Sequence, residues 1–220
     1  MSLTTNLINY WKFDESSGNA SDLIGGVTLT NSNVTYVAGK INNGASFNGT
    51  SAQFSGTGGS SLSQPFSLQA WIKPIGGTYI MAFRNAGNNQ NYDINLDVGS
   101  HVQVGTYNGS GGDSITSSTT VSASNWYHIV AVFNGASSAL YVNNVAYTGT
   151  INALTCGTQW YFGANAGASW YSGLIDECAV WTRALTATEV SQLYNGGAGL
   201  AYPLVPATHP AYRTLLGVGI

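Results

Sequence analysis

The chain predicts an all-β sandwich closed by one short helix, and three observations carry that expectation. Strand-like runs recur roughly every 8–15 residues, the spacing of sandwich strands. They are separated by Gly, Asn and Ser clusters such as Asn42–Gly44, Asn108–Gly112 and Asn165–Ala168. No long run of helical periodicity interrupts them, and no linker divides the chain. With 220 residues, the chain can bury a full core as one domain. Its 7% charged and 12% aromatic residues are the opposite of the balance that keeps a chain disordered.

The elements follow in order. An opening strand reads YWKFDESSG over Tyr10–Gly18, and a second region reads GASFNGTSAQF over Gly44–Phe54. In FSLQAWIKP, period-two alternation sends Phe66, Leu68, Ala70 and Ile72 to one face and Gln69, Trp71 and Lys73 to the other. YIMAFR alternates in the same way and ends on Arg84. In NYDINLDV and SHVQVGTY, Tyr92, Ile94, Leu96, Val98, Val102 and Val104 are predicted inward. Asp93, Asn95, Asp97, His101, Gln103 and Tyr107 are predicted outward. NWYHIVAVFNG, over Asn125–Gly135, is a further core strand.

The closing segment carries the most information. Gly173–Trp181 is apolar on both pleat faces, interrupted by Asp176 and Glu177, and a carboxylate inside such a run needs a partner. Thr186 stands three residues before Glu189, the spacing of a capping box. A helix is therefore predicted from about Ala187 to Tyr194, stopped by Asn195-Gly196-Gly197. Residues 1–197 form the expected domain. The tail 198–220, with three prolines, Tyr202, Tyr212 and a final LLGVGI, is apolar and expected to pack on the domain or on a partner.

These four stretches resemble the laminin-G-like, concanavalin A-like modules. GLIDECAVWTRALTATE is similar to their closing G-x-I-D-E strand, R-A-L-S/T turn and short helix. GASFNG is similar to their G-x-A-L-x-F-x-G strand, and FSLQAWIKP and NWYHIVAV to their two core strands. The resemblance spans Leu7 to about Gly197 and implies an all-β, antiparallel two-sheet jelly-roll β-sandwich with one short C-terminal helix. It further implies a structural calcium held by Asp176, by Asp14 or Asp22, and by a backbone carbonyl near Asn48 or Gly49. Calcium takes several oxygen ligands, and carboxylates beside Gly and Asn turns supply them. The competing expectation is that Asp14 caps its own turn and that Asp176 pairs with Arg183 or Lys12, with no metal.

Composition narrows the function. A net charge of −3 with six Lys and Arg cannot neutralise a phosphate track, so nucleic acid is excluded as a partner. No apolar run is long enough for a membrane span, and MSLTTNLINYWKF lacks the pattern of a signal peptide. Two placements fit: a virus or phage particle surface, reached by lysis, or an extracellular site for a sequence whose signal has been removed. Cys156 and Cys178 could meet if Trp160–Phe162 forms a hairpin around Gly167 with the strand through Asp176, and such a bond contributes about 3 kcal/mol. Otherwise they are small buried hydrophobes. There is no CxxC or His-rich tract for a structural zinc.

The candidate ligand site is the polar face formed by Asp93, Asn95, Asp97, His101, Gln103 and Tyr107, with Arg84 alongside. Sugars are bound by this mixture of polar groups for hydroxyls and flat rings for the apolar side of a pyranose. The alternative is an ordinary wet face of an antiparallel sheet. Trp170, after the loop Gly163–Ser169, is a further candidate contact, whereas Tyr171 matches a core position of the family. Jelly-roll glucanases carry an E-x-D-x-x-E type pattern, and Glu15, Glu177 and Glu189 do not reproduce it. His128 matches a structural position of the family and has no nucleophilic serine motif beside it. The expectation is a non-catalytic recognition or adhesion module, a phage or virus surface protein that binds host glycans through multimeric display. A structural capsid or tail decoration protein, or an exported bacterial carbohydrate-binding module, are the alternatives.

Overall fold

The computed structural model describes residues 2–206, apart from 60, 86, 88, 89 and 155. In chain order the strands are β1 (Leu7–Trp11), β2 (Thr30–Ser32), β3 (Thr35–Ala38), β4 (Asn43–Asn48) and β5 (Gln53–Thr57). Then come β6 (Phe66–Gly77), β7 (Tyr79–Arg84), β8 (Asn91–Leu96), β9 (His101–Tyr107) and β10 (Ser114–Thr120). The last five are β11 (Tyr127–Phe133), β12 (Gly135–Val142), β13 (Val145–Ile151), β14 (Gln159–Phe162) and β15 (Tyr171–Trp181), followed by helix α1 (Ala187–Tyr194). They form two antiparallel sheets. The first is ordered β13-β12-β11-β6-β15-β4-β3, with β1 also paired to β15. The second is ordered β10-β9-β8-β7-β14-β5-β2. This is the antiparallel two-sheet jelly-roll sandwich with a single short helix.

Aromatic rings fill the space between the sheets. Phe66 and Phe133 of the first sheet meet Tyr92 of the second at ring separations of 4.7 and 4.8 Å. Trp11 lies 5.2 Å from Trp160 and 5.3 Å from Phe162. Offset and edge-to-face ring pairs add about 0.5–1.5 kcal/mol each to the burial of their area. The predicted inward residues Phe66, Leu68, Ala70 and Ile72, and Tyr92, Ile94, Leu96, Val102 and Val104, all lie in this core. Val98 does not. It is fully exposed, because Asp97 ends β8 and folds residues 97–100 into a tight turn.

The outer face of the first sheet is sealed as well. Leu3, Leu7 and Tyr10, α1 residues Val190 and Leu193, and Leu204 pack over Val130, Val132, Ala179 and Trp181 to form a second apolar cluster. This explains why β15 is apolar on both faces. Trp71 and Gln69 also lie on this covered face, Trp71 stacked 6.1 Å from Tyr194 with the Lys40 ammonium 4.4 Å from its ring. Because β6 and β8 belong to different sheets, Gln69, Trp71 and Lys73 are not neighbours of the Asp93 face.

Alternation along β15 is interrupted once. Ile175, Cys178 and Val180 face the inter-sheet core, a spacing that requires an extra residue. The pairing register with β6 shifts between Asp176 and Ala179, and Glu177 takes a left-handed φ of 50°. At this bulge β15 exchanges one neighbour, pairing with β4 before it and with β1 after it.

The cysteine hairpin is not formed. β14 lies in the second sheet and β15 in the first, and Cys156 and Cys178 are both buried free thiols. Tyr202 packs on Tyr10 at 5.5 Å and Leu204 is buried, while residues 207–220, including LLGVGI, lie outside the described residues. The capping box of α1 is present in both directions: Thr186 Oγ1 accepts from the Glu189 amide, and the Glu189 carboxylate accepts from the Thr186 amide. Arg183 pairs with that same carboxylate at 2.7 Å. Replacing Thr186 with Ala therefore lowers stability by about 1 kcal/mol in chemical denaturation, and unchanged stability would show that packing alone holds the helix.

Candidate functional site

The open face of the second sheet carries the candidate site. On β8 the residues opposite the core are Asn91, Asp93 and Asn95, and all three are largely buried. Their burial comes from their neighbours. Asp93 stands between Ala82 of β7 and Gly105 of β9, two residues that raise almost nothing above the sheet. Gly105 cannot carry a side chain, since a Cβ there would lie 2.7 Å from the Asp113 carbonyl. Larger residues stand around this low floor: Tyr79 and Arg84 on β7, Gln103 and Tyr107 on β9, and Asn165 from the loop before β15. The result is a polar cavity of about 390 Å³ with Asp93 in it.

Hydrogen bonding fixes the carboxylate. One oxygen of Asp93 accepts from Asn91 Nδ2, and the other accepts from Asn95 Nδ2 at 2.7 Å. Each oxygen keeps a further lone pair. Burial pushes the Asp93 carboxyl up to about 6, against the opposing pull of the two amides and of Arg84. Burial and the Asp93 charge also push the Tyr79 hydroxyl up. Arg84 is held by a hydrogen bond from Nη1 to Asn165 Oδ1, which ties the guanidinium to the loop. Asp113 completes the rim, its Oδ2 accepting from the Asn152 amide at 2.8 Å.

Of the residues predicted for ligand contact, the structure brings Arg84, Asp93, Asn95, Gln103 and Tyr107 to this cavity. Asp97 and His101 are elsewhere, closing the turn after β8. Asp97 Oδ1 accepts from the Gly99 and His101 amides at 2.8 Å, and Oδ2 meets His101 Nδ1 at 3.0 Å. Trp170 is half-buried outside the cavity, its carbonyl accepting from the Thr78 amide, while Tyr171 is fully buried. Sequence reasoning missed Tyr79, Asn91, Asp113 and Asn165. Asn91 had a usable signal, since the same alternation passes through it two residues before Asp93. Tyr79 sits across a register shift in β7, and Asn165 lies in a loop without periodicity.

The carboxylates expected to hold calcium are engaged by protein donors. Asp176 spends its oxygens on the Lys40, Ile41 and Glu177 amides at 2.8–3.0 Å. Asp14 accepts from the Asn43 amide and Asn42 Nδ2, and so holds the same turn from its other side. Asp22 accepts from four backbone amides and Asn9 Nδ2. Asn48 Oδ1 takes the amides of Thr50, Ser51 and Ala52, and the Gly49 amide donates to the Tyr171 carbonyl. Among the described residues no three His, Cys, Asp or Glu side chains come together as a metal site. Arg183 and Lys12 do not pair with Asp176; backbone amides do that work.

Residues 46–191 match the model of the concanavalin A-like lectin/glucanases superfamily, and the chain belongs to that family. No curated protein matches it. Among solved structures, it is similar to domain 4 of an extracellular arabinanase from Geobacillus stearothermophilus, determined in complex with arabinotriose. That pair shares 21% identity and a TM-score of 0.71 over 88% of this chain and 98% of that domain. It is also similar to the binding domain of botulinum neurotoxin serotype G, at 15% identity and a TM-score of 0.70, over 86% of this chain and 50% of that one. Trypanosoma rangeli sialidase follows at 15% identity and a TM-score of 0.67, with 89% of this chain matching 34% of the sialidase. At such identities these likenesses show the fold. No helix among the described residues is long and apolar enough to cross a membrane.

Two outcomes follow. Excess chelator leaves the thermal midpoint unchanged, because backbone amides satisfy the carboxylates; a drop on chelation, restored by calcium, would reverse this reading. Burial also pushes Glu177 up to about 7 and Asp176 to about 8, so the folded state holds protons that the unfolded chain releases. His128, buried and pushed down to about 3, works in the opposite sense, but only below its ordinary value of 6.5. Stability therefore rises as pH falls from about 8 to 6.5, and Glu177→Gln shows a smaller rise in midpoint over the same range.

Proposed function

We propose that the chain is a non-catalytic glycan-binding module whose ligand sits in the Asp93 cavity. The observation that carries this reading is a carboxylate held between two carboxamides on one rigid strand, with a guanidinium and two tyrosine rings around it. Sugar hydroxyls donate and accept in pairs, and Asp93, Asn91, Asn95 and Gln103 offer both roles within one cavity. The Tyr79 and Tyr107 rings supply apolar surface beside them. The family and the carbohydrate in the arabinanase-domain structure support this choice of ligand.

Hydrolysis of a glycosidic bond needs two carboxyl groups facing each other across it, one of them protonated. Asp93 is clamped along its own strand, and Asp113 is engaged by the Asn152 amide, so neither is poised as a partner to the other. We place the module on an exterior surface, of a phage or virus particle or of a cell. There, weak single sites gain useful avidity from many copies.

Asp93→Asn keeps the side-chain volume and removes the charged acceptor, so retention on a glycan array falls by about tenfold or more while the thermal midpoint does not drop. Wild-type binding also weakens on acidification through the Asp93 value of about 6, and the variant lacks that transition. A variant that binds as well as the wild type would remove Asp93 from the site. A folded wild-type protein that binds no glycan would favour a structural decoration role.

A further inference from the structure

The Asp93 cavity has a neighbour on the same sheet face. A second cavity of about 440 Å³ lies over β2, β5 and β14, lined by Thr28, Thr30, Gln53, Ser55, Thr57 and Tyr161. It contains hydroxyls, a carboxamide and one aromatic ring, and none of its lining residues carries a formal charge. Alternation explains why these side chains point outward, since Phe54, Trp160 and Phe162 between them belong to the core. Three strand steps separate β8 from β5, which at a spacing of about 4.8 Å sets the two cavities ~14 Å apart.

The loop before β15 stands between them. Asn165 lines the first cavity and Ala166 the second, so one short turn forms a wall of both, pinned by the Asn165 bond to Arg84. Gln159 lies along the line between the cavities, in register with Arg84 on one side and Thr57 on the other. Tyr161 continues the line, in register with Ala82, the low floor of the first cavity, on one side and with Ser55 of the second on the other, so the floor beside Asp93 runs directly onto the Tyr161 ring.

We infer that the second cavity is an uncharged sugar subsite, and that the natural ligand is a linear oligosaccharide long enough to lie across β8, β7, β14 and β5 rather than a single terminal sugar. The inference rests on the glycan reading of the Asp93 cavity. It assigns the two ends different work: the Asp93 end binds through charge-assisted hydrogen bonds, and the Tyr161 end binds a neutral ring through stacking and amide contacts.

Calorimetric titration of the full chain with arabinan, xylan, β-glucan and galactan ladders, monomer through hexamer, tests it. For the class that binds, affinity climbs with length by about tenfold or more before levelling. Tyr161→Ala combined with Gln53→Ala returns long ligands to the monomer's affinity and leaves the monomer unchanged. Thr57→Arg, an exposed position at the second cavity, has the same effect by obstruction and guards against a truncation that merely loosens the sheet. Affinity independent of length would overturn the inference and leave the single-cavity reading standing. So would a length dependence untouched by both variants, or an equal loss of monomer binding in both. Absence of binding by every ladder and monomer removes the glycan reading itself, and the inference with it.

Discussion

The bulge at Asp176–Glu177 is the joint on which the first sheet depends. Without the extra residue, the strict period of two would send the second half of β15 to the wrong faces, burying Ala179 and Trp181 between the sheets and turning Cys178 and Val180 away from them. With it, Ile175, Cys178 and Val180 all reach the inter-sheet core, while Ala179 and Trp181 join the cluster under α1. The same offset lets β15 leave β4 and take up β1, so one strand connects three neighbours. The left-handed φ at Glu177 costs about 1–3 kcal/mol. Two local arrangements offset it: Asp176 accepts three amides, two of them in the 39–43 turn, and Tyr10 donates to Glu177 while accepting from the Tyr202 amide.

That arrangement separates the two outer faces of the sandwich. The first sheet is covered by the N-terminal segment, α1 and the 198–206 segment, and two of its side chains bond to that cover: Trp181 donates to the Leu3 carbonyl and Tyr10 accepts from the Tyr202 amide. Trp71 and His128, which as residue types invite a binding role, are packed in a stack with Tyr194. The second sheet keeps an open face whose height varies from strand to strand. Cavities form there because small residues at Ala82, Gly105 and Ser55 lie beside tall ones at Arg84, Tyr107 and Tyr161. A buried carboxylate is tolerated at Asp93 because two amides on its own strand meet it, which holds it in one orientation.

How much of the site was legible follows from which residues obey a local period. Asp93, Asn95, Gln103 and Tyr107 fall on one face by simple alternation, and Arg84 by the alternation of the preceding strand. Asp97 and His101 satisfy the same count and are still absent from the cavity, because an Asx-type turn ends β8 one residue after Leu96. That turn also exposes Val98. Asn165 and Asp113 come from loops, where no period exists, and Tyr79 is displaced by a register shift. For the carboxylates expected at calcium, spacing could not name the partner: a carboxylate at a strand end can be satisfied equally by amides or by a metal, and spacing does not distinguish them.

By itself the sequence determined the class of fold, the inward faces of β6, β8 and β9, and helix α1 with its capping box. It also marked out a polar face containing most of the Asp93 cavity. These follow from interactions within a few residues, where period and capping chemistry act directly. The tertiary structure decided which strands share a sheet, and so that Gln69 and Trp71 lie far from Asp93 and that the two cysteines never meet. It also decided where the sheet surface dips, because a cavity is made by the residues on neighbouring strands, and their register is a property of the assembled sandwich.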